Sequence, residues 1–112
     1  ASAEGDVYAT YFMGIKYLFG IGVEKNSKMA TSYFEKAANL GDSESMFNLG
    51  RMYEKGNDIE HDYEKASFYY RKAIECGNTN SMVNLAFMLK DGKGIKMNLD
   101  ESAKLFKMAA DK

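Results

Sequence analysis

The chain has 112 residues, room for one small domain, and its 46% hydrophobic and 13% aromatic content supplies an ordinary globular core rather than a disordered segment. Its 15 basic and 16 acidic side chains nearly cancel, so no global charge draws it to nucleic acid, an anionic membrane or an acidic substrate. Lys16 and glycines interrupt the most apolar stretch, Tyr8 to Val23, short of the roughly 18 to 20 residues a spanning helix needs, and no signal-peptide pattern is present, so no direct membrane insertion is expected.

Gly5, Gly41 and Gly77 stand 36 residues apart, as do Gly20, Gly56 and Gly92, and Ala37, Ala73 and Ala109. A period of this size marks stacked repeats. The pattern predicts a single repeat domain over 1–112 with units of about 3–40, 41–76 and 77–112, each a helix, a glycine-containing break and a second helix.

In the first unit, helix A carries Thr10, Met13, Gly14 and Tyr17 on its packing face. Gly20 ends it, Gly22 and Val23 turn the chain, and Asn26 caps helix B, whose buried side is Ala30, Tyr33, Phe34, Ala37 and Ala38. The second helix A runs about Asp42 to Lys55, with Asp42 or Ser43 near the cap and Met46, Leu49, Gly50 and Tyr53 facing inward. Gly56 ends it, Asp58 takes the place of the second turn glycine, Ile59 plugs the turn, and Asp62 caps a helix B with Ala66, Tyr69, Tyr70, Ala73 and Ile74. The third unit repeats the order with Met82, Leu85, Ala86 and Leu89, then Gly92, Gly94, Ile95 and Asn98, then Ser102, Leu105, Phe106, Ala109 and Ala110. Small residues at Gly14, Gly50 and Ala86 predict a close crossing of helix A with helix B, where aromatic ridges enter grooves left by small side chains.

Gly20-Ile-Gly22-Val23 followed by Ala30-Thr-Ser-Tyr33-Phe34-Glu-Lys36-Ala37-Ala38-Asn-Leu-Gly41-Asp42 closely resembles the Sel1-like repeat, a relative of the tetratricopeptide repeat. Met46-Phe-Asn-Leu49-Gly50-Arg-Met-Tyr53-Glu-Lys-Gly56 and Asp91-Gly92-Lys-Gly94-Ile95 carry the resemblance through the other units. It implies an all-α, right-handed α/α superhelical solenoid of three helix-turn-helix repeats, with helix A concave and helix B convex. It also implies scaffolding of other proteins, through motif positions that are structural and assign no residue a chemical role. The third unit is least typical, since Ala86 replaces the helix-A glycine and Leu89 and Leu105 replace aromatics. A cysteine-rich branch of the family ties each helix pair with a disulfide, which a chain with Cys76 alone does not do.

Catalytic chemistry needs converging groups, and few candidates exist. His61 is the only histidine and reads as a solvated turn residue rather than a metal ligand. Cys76 reads as a partly buried structural thiol, and a lone cysteine favours a reducing, cytoplasmic compartment. Gly92-Lys93-Gly94 lacks Walker spacing, and Asp58, Glu60, Asp62 and Glu64 lack the glycine and terminal glutamate of a calcium loop. Met13, Met46 and Met82 read as core filling rather than a copper site. The sequence therefore predicts no cofactor, no metal and no enzyme.

What remains is surface. Beside the packing stripe of helix A lie Tyr8, Phe12, Ile15 and Phe19 in the first unit, Glu44, Asn48, Arg51 and Lys55 in the second, and Asn80, Asn84, Phe87 and Asp91 in the third. This face grades from apolar through basic-polar to mixed, the pattern of a groove for an extended peptide or a partner helix. Asn48 and Asn84, one period apart, are placed to meet a peptide backbone at regular steps. The apolar first helix has a second reading, self-association or packing on further repeats. The chain opens Ala-Ser without Met and stops where a repeat is complete, so it is expected to be part of a longer protein. The functional expectation is a non-catalytic interaction scaffold or adaptor. The alternative is a regulatory or ligand-binding module joined to an enzyme region elsewhere in that protein.

Overall fold

The structure, a computed structural model, describes residues 3–56 and 59–112. Six helices follow one another: α1 (Ala3–Phe19), α2 (Ser27–Asn39), α3 (Ser43–Lys55), α4 (Tyr63–Glu75), α5 (Thr79–Asp91) and α6 (Leu99–Ala110). Each odd-numbered helix packs on the helix that follows it, and α2 packs on α3 as α4 packs on α5. The result is two layers, α1, α3 and α5 in one and α2, α4 and α6 in the other, within an envelope of 42 × 31 × 19 Å.

Every helix from α2 onward starts at a side-chain cap. Asn26, Asp62 and Asn98 accept from the backbone N–H groups of Met29, Lys65 and Glu101, as the sequence predicts. Asp42 and Asn78 do the same for Ser45 and Ser81, so Asp42 rather than Ser43 is the cap of α3. The backbone N–H groups of Asn26, Asp62 and Asn98 also donate to the carbonyls of Tyr17, Tyr53 and Leu89 at 2.9, 3.0 and 2.9 Å. That bond closes the same loop in each pair. Gly56 and Gly92 end α3 and α5 at φ of 65° and 64°, a left-handed conformation in which a side chain is strained. The turn role expected of Asp58 lies outside the described residues.

The core forms two clusters. One holds Ala30, Phe34, Ala38, Met46, Leu49, Met52 and Ala73, and the other Ala66, Tyr70, Met82, Leu85, Ala86, Met88, Leu89 and Leu105. Tyr11, Ile15, Tyr17 and Leu18 of α1 pack on the first cluster, while Ile59 and Ile95 anchor their turns on the first and second. A Cβ added at Gly14 would lie 2.6 Å from the Phe34 ring, and one at Gly50 would lie 2.6 Å from the Tyr70 ring. The predicted close crossings are therefore ring-on-backbone contacts. Tyr17 stacks on Tyr33 and Tyr53 on Tyr69, with centroids 5.7 and 6.1 Å apart, where the third pair has the buried leucines Leu89 and Leu105.

Two sequence expectations change. Cys76 is exposed rather than partly buried, because it is the C-cap of α4, where the helix runs out of the packed layer. Ala110, predicted on the buried side of the last helix, is exposed in its final turn.

Candidate functional site

The layer of α1, α3 and α5 carries two adjoining hollows. The smaller, about 180 Å³, is lined by Leu18 and Phe19 of α1, Lys25 of the following turn, Ser27 at the start of α2, and Asn48, Arg51, Met52 and Lys55 of α3. The larger, about 520 Å³, lies between α3 and α5 and is lined by Phe47, Arg51, Glu54, Lys55, Asn84 and Phe87. Arg51 and Lys55 belong to both because they sit one turn apart on the middle helix.

Six of the surface residues singled out from the sequence thus meet: Phe19, Asn48, Arg51, Lys55, Asn84 and Phe87. The other six are placed elsewhere. Tyr8 and Phe12 are exposed on α1, their rings edge to face at 4.7 Å, and Ile15 packs on the core. Glu44 accepts a bond from Asn78 Nδ2 at 3.0 Å, tying α3 to the cap of α5. Asn80 and Asp91 are exposed near the two ends of α5. The exposed apolar surface of α1 continues through Phe19 to Ile21.

The two asparagines do not offer free amides at equal steps. Asn48 is buried and its Nδ2 donates to the Glu44 carbonyl at 2.9 Å, within its own helix. Asn84 Nδ2 donates to the Tyr70 hydroxyl at 3.1 Å, and that hydroxyl donates to Glu54 Oε1 at 2.7 Å. The network joins α3, α4 and α5 beneath the larger hollow and fixes its floor. Burial, reinforced by the bond to Glu54, pushes the Tyr70 hydroxyl well above the ordinary tyrosine range, so it stays a donor. Burial and the nearby Glu44 and Asp42 charges likewise raise the Tyr11 hydroxyl.

Phe47 and Glu54 are groove residues that the sequence pattern did not single out. Phe47 shares its repeat position with Tyr11 and Val83, and Glu54 shares its own with Leu18 and Lys90. The available signal was the acid at Glu54 beside Arg51 in a slot that is otherwise apolar or basic. The Arg51 guanidinium lies over the Phe47 ring, 5.6 Å from its centroid, which holds the cation against an apolar wall.

The other candidates stand apart from the hollows. His61 is exposed, its ring edge-on to Tyr63 at 4.1 Å, and no group of three or more potential metal-ligating residues occurs among the described residues. No described helix is long and apolar enough to cross a membrane. On the opposite layer, Arg71 of α4 and Glu101 of α6 form a two-pronged ion pair at 2.6 and 3.3 Å. It holds the Glu101 carboxyl below the usual carboxylate range.

The family model of the Sel1 repeat matches residues 7–42, 43–78 and 79–112. A protective antigen of uropathogenic Escherichia coli strains displaying an SLR fold is 30% identical with a TM-score of 0.91, over 96% of this chain and 23% of that one. A Sel1 repeat protein from Oxalobacter formigenes is 33% identical with a TM-score of 0.87, over 94% of this chain and 42% of the other. This chain therefore spans less than half the length of either. Cysteine rich protein B of Helicobacter pylori shares the fold at 24% identity, with a TM-score of 0.76 over 99% of this chain and 91% of its own. No curated protein matches the chain. Sel1 repeats are generally non-catalytic, protein-interacting modules. With three consecutive matches and six helices in register with them, the chain belongs to the Sel1 repeat family and is a right-handed α/α superhelical solenoid.

Proposed function

We propose that the chain is a non-catalytic scaffold or adaptor that binds a peptide or partner protein on the concave face formed by α1, α3 and α5. The observation that carries this reading is the continuity of the two hollows, which share Arg51 and Lys55. A single extended segment laid from α1 to α5 fills both. The flanking Phe19 and Phe87 are 60% and 49% exposed, large aromatic surfaces of the kind that anchor partners. Because the floor is rigid, with Tyr70 wholly buried and bonded to Glu54 and Asn84, little ordering cost falls on this side of the interface.

The test is affinity capture from a native lysate with the wild-type chain beside Arg51→Glu/Lys55→Glu, both first shown to fold by circular dichroism. Partners captured by the wild type and lost by the variant support the concave face. Partners retained equally by both move the site to the α2, α4 and α6 layer or to the apolar surface of α1.

A further inference from the structure

We infer that the segment recognised by this groove is acidic, presenting one or two carboxylates between apolar side chains. This inference rests on the concave-face reading above and names the chemistry of its partner. The second repeat is the acidic one, with more Asp and Glu than Lys and Arg. Yet the side chains that line the smaller hollow include Lys25, Arg51 and Lys55 and no carboxylate. Positive charge has been gathered at one place in a chain whose net charge is −1.

These cations are also available. Among the described residues the ion pairs are Arg71 with Glu101 and Lys93 with Glu54, and none of the three takes part. The one carboxylate lining the two hollows, Glu54, is engaged by the Tyr70 hydroxyl at 2.7 Å and by Lys93 at 3.9 Å. Arg51 is held over Phe47 and lines both hollows. A planar guanidinium in that position matches a carboxylate with two parallel bonds, and partial enclosure by Leu18, Phe19 and Met52 strengthens the attraction relative to open water. A basic segment is repelled here. A nucleic acid backbone asks for many cations along a track, and this site offers three within a chain of balanced charge.

The apolar requirement comes from the two ends. Phe19 borders the smaller hollow and Phe87 the larger, so side chains flanking the carboxylate meet an aromatic face on each side. The recognised pattern is an acidic centre with an apolar or aromatic residue before and after it.

The experiment is selection of a displayed library of random dodecapeptides on the folded chain, followed by fluorescence anisotropy of the enriched peptides. Each is compared with its counterpart in which Asp and Glu become Asn and Gln. The expected result is enrichment of acidic peptides with flanking apolar residues and at least about a tenfold loss of affinity on amide replacement or in Arg51→Glu/Lys55→Glu. Affinity also falls as salt rises. Enriched peptides without acids that still fail to bind the variant overturn the inference and leave the concave-face reading in place. Peptides that bind variant and wild type equally overturn the concave-face reading itself. Displacement of the acidic peptide by a single-stranded oligonucleotide overturns the partner class, and a selection that never rises above background counts against both.

Discussion

The second and third helix pairs solve one packing problem in two ways. Where α3 crosses α4, Gly50 leaves its backbone bare and the Tyr70 ring fills the space, completely buried. Where α5 crosses α6, Ala86 occupies that space with its own methyl group. The counterpart ring, Phe106, is only partly buried and stands edge-on to Phe87 at 5.0 Å. Ser102 then reaches across to donate to the Ala86 carbonyl at 2.7 Å, at a position where the other pairs have Ala30 and Ala66. No described helix covers α6 as α5 covers α4. Where the methyl group is absent the ring is wholly buried beneath the groove and its hydroxyl ties Glu54 to Asn84, and where it is present the matching ring is only partly buried.

The sharpest way to break this comparison is Gly50→Leu. Its Cβ alone would sit 2.6 Å from a ring with nowhere to go, so overpacking is expected to cost about 1–3 kcal/mol. Thermal unfolding followed by circular dichroism checks it, and an unchanged melting temperature removes the close-crossing account. A Tyr70→Phe exchange keeps the ring and removes only the hydroxyl that links Glu54 to Asn84. About 1 kcal/mol of stability is expected to go with it, since each freed group still reaches solvent at the groove. It also reduces an alkaline effect. Burial holds the hydroxyls of Tyr11, Tyr53, Tyr69 and Tyr70 above their ordinary value of 10.0. The unfolded chain therefore releases those protons first, and stability that is complete below pH 10.0 is expected to decline as pH rises beyond it, less steeply in the Tyr70→Phe protein.

Ser102→Ala tests the other crossing. Loss of its bond to the Ala86 carbonyl is expected to cost roughly 0.5–1.5 kcal/mol, readable by chemical denaturation, whereas Ala30 and Ala66 show that the small side chain itself fits. A smaller effect belongs to the ion pair on the outer layer. Glu101 is held below its ordinary 4.5 by Arg71, so the pair stabilises above that pH and its contribution fades as pH falls through the lowered value. Both partners are substantially solvated, so Glu101→Gln is expected to cost at most about 1 kcal/mol at neutral pH, and the difference from wild type should disappear in acid.

The fold was legible because its signals are local and periodic. Gly56 and Gly92 mark left-handed helix ends, Asn26, Asp62 and Asn98 mark caps, and Gly14 and Gly50 mark crossings, all of which recur at one interval. The groove was half legible. Periodicity identifies the face on which Arg51, Lys55 and Phe87 stand, but it says nothing of what each side chain is bonded to. Asn48 and Glu44 look like free polar groups in the sequence and are occupied within the fold. Phe47 and Glu54 were hidden because their repeat positions read as packing face: Tyr11, Leu18 and Phe47 all pack on the core, and only the hollow between α3 and α5 gives Phe47 and Glu54 a second, open side. Cys76 was misplaced for a related reason, since the last residue of a periodic stretch lies where the packed layer ends.

The most direct test of the central claim is amide chemical-shift mapping of the isotope-labelled chain during titration with an enriched acidic peptide. Shifts are predicted to concentrate at Phe19, Lys25, Ser27, Phe47, Arg51, Lys55, Asn84 and Phe87, with α4, α6 and the rest of α2 nearly silent. Shifts confined to α2, α4 and α6, or to the Tyr8 and Phe12 surface of α1 alone, would contradict it.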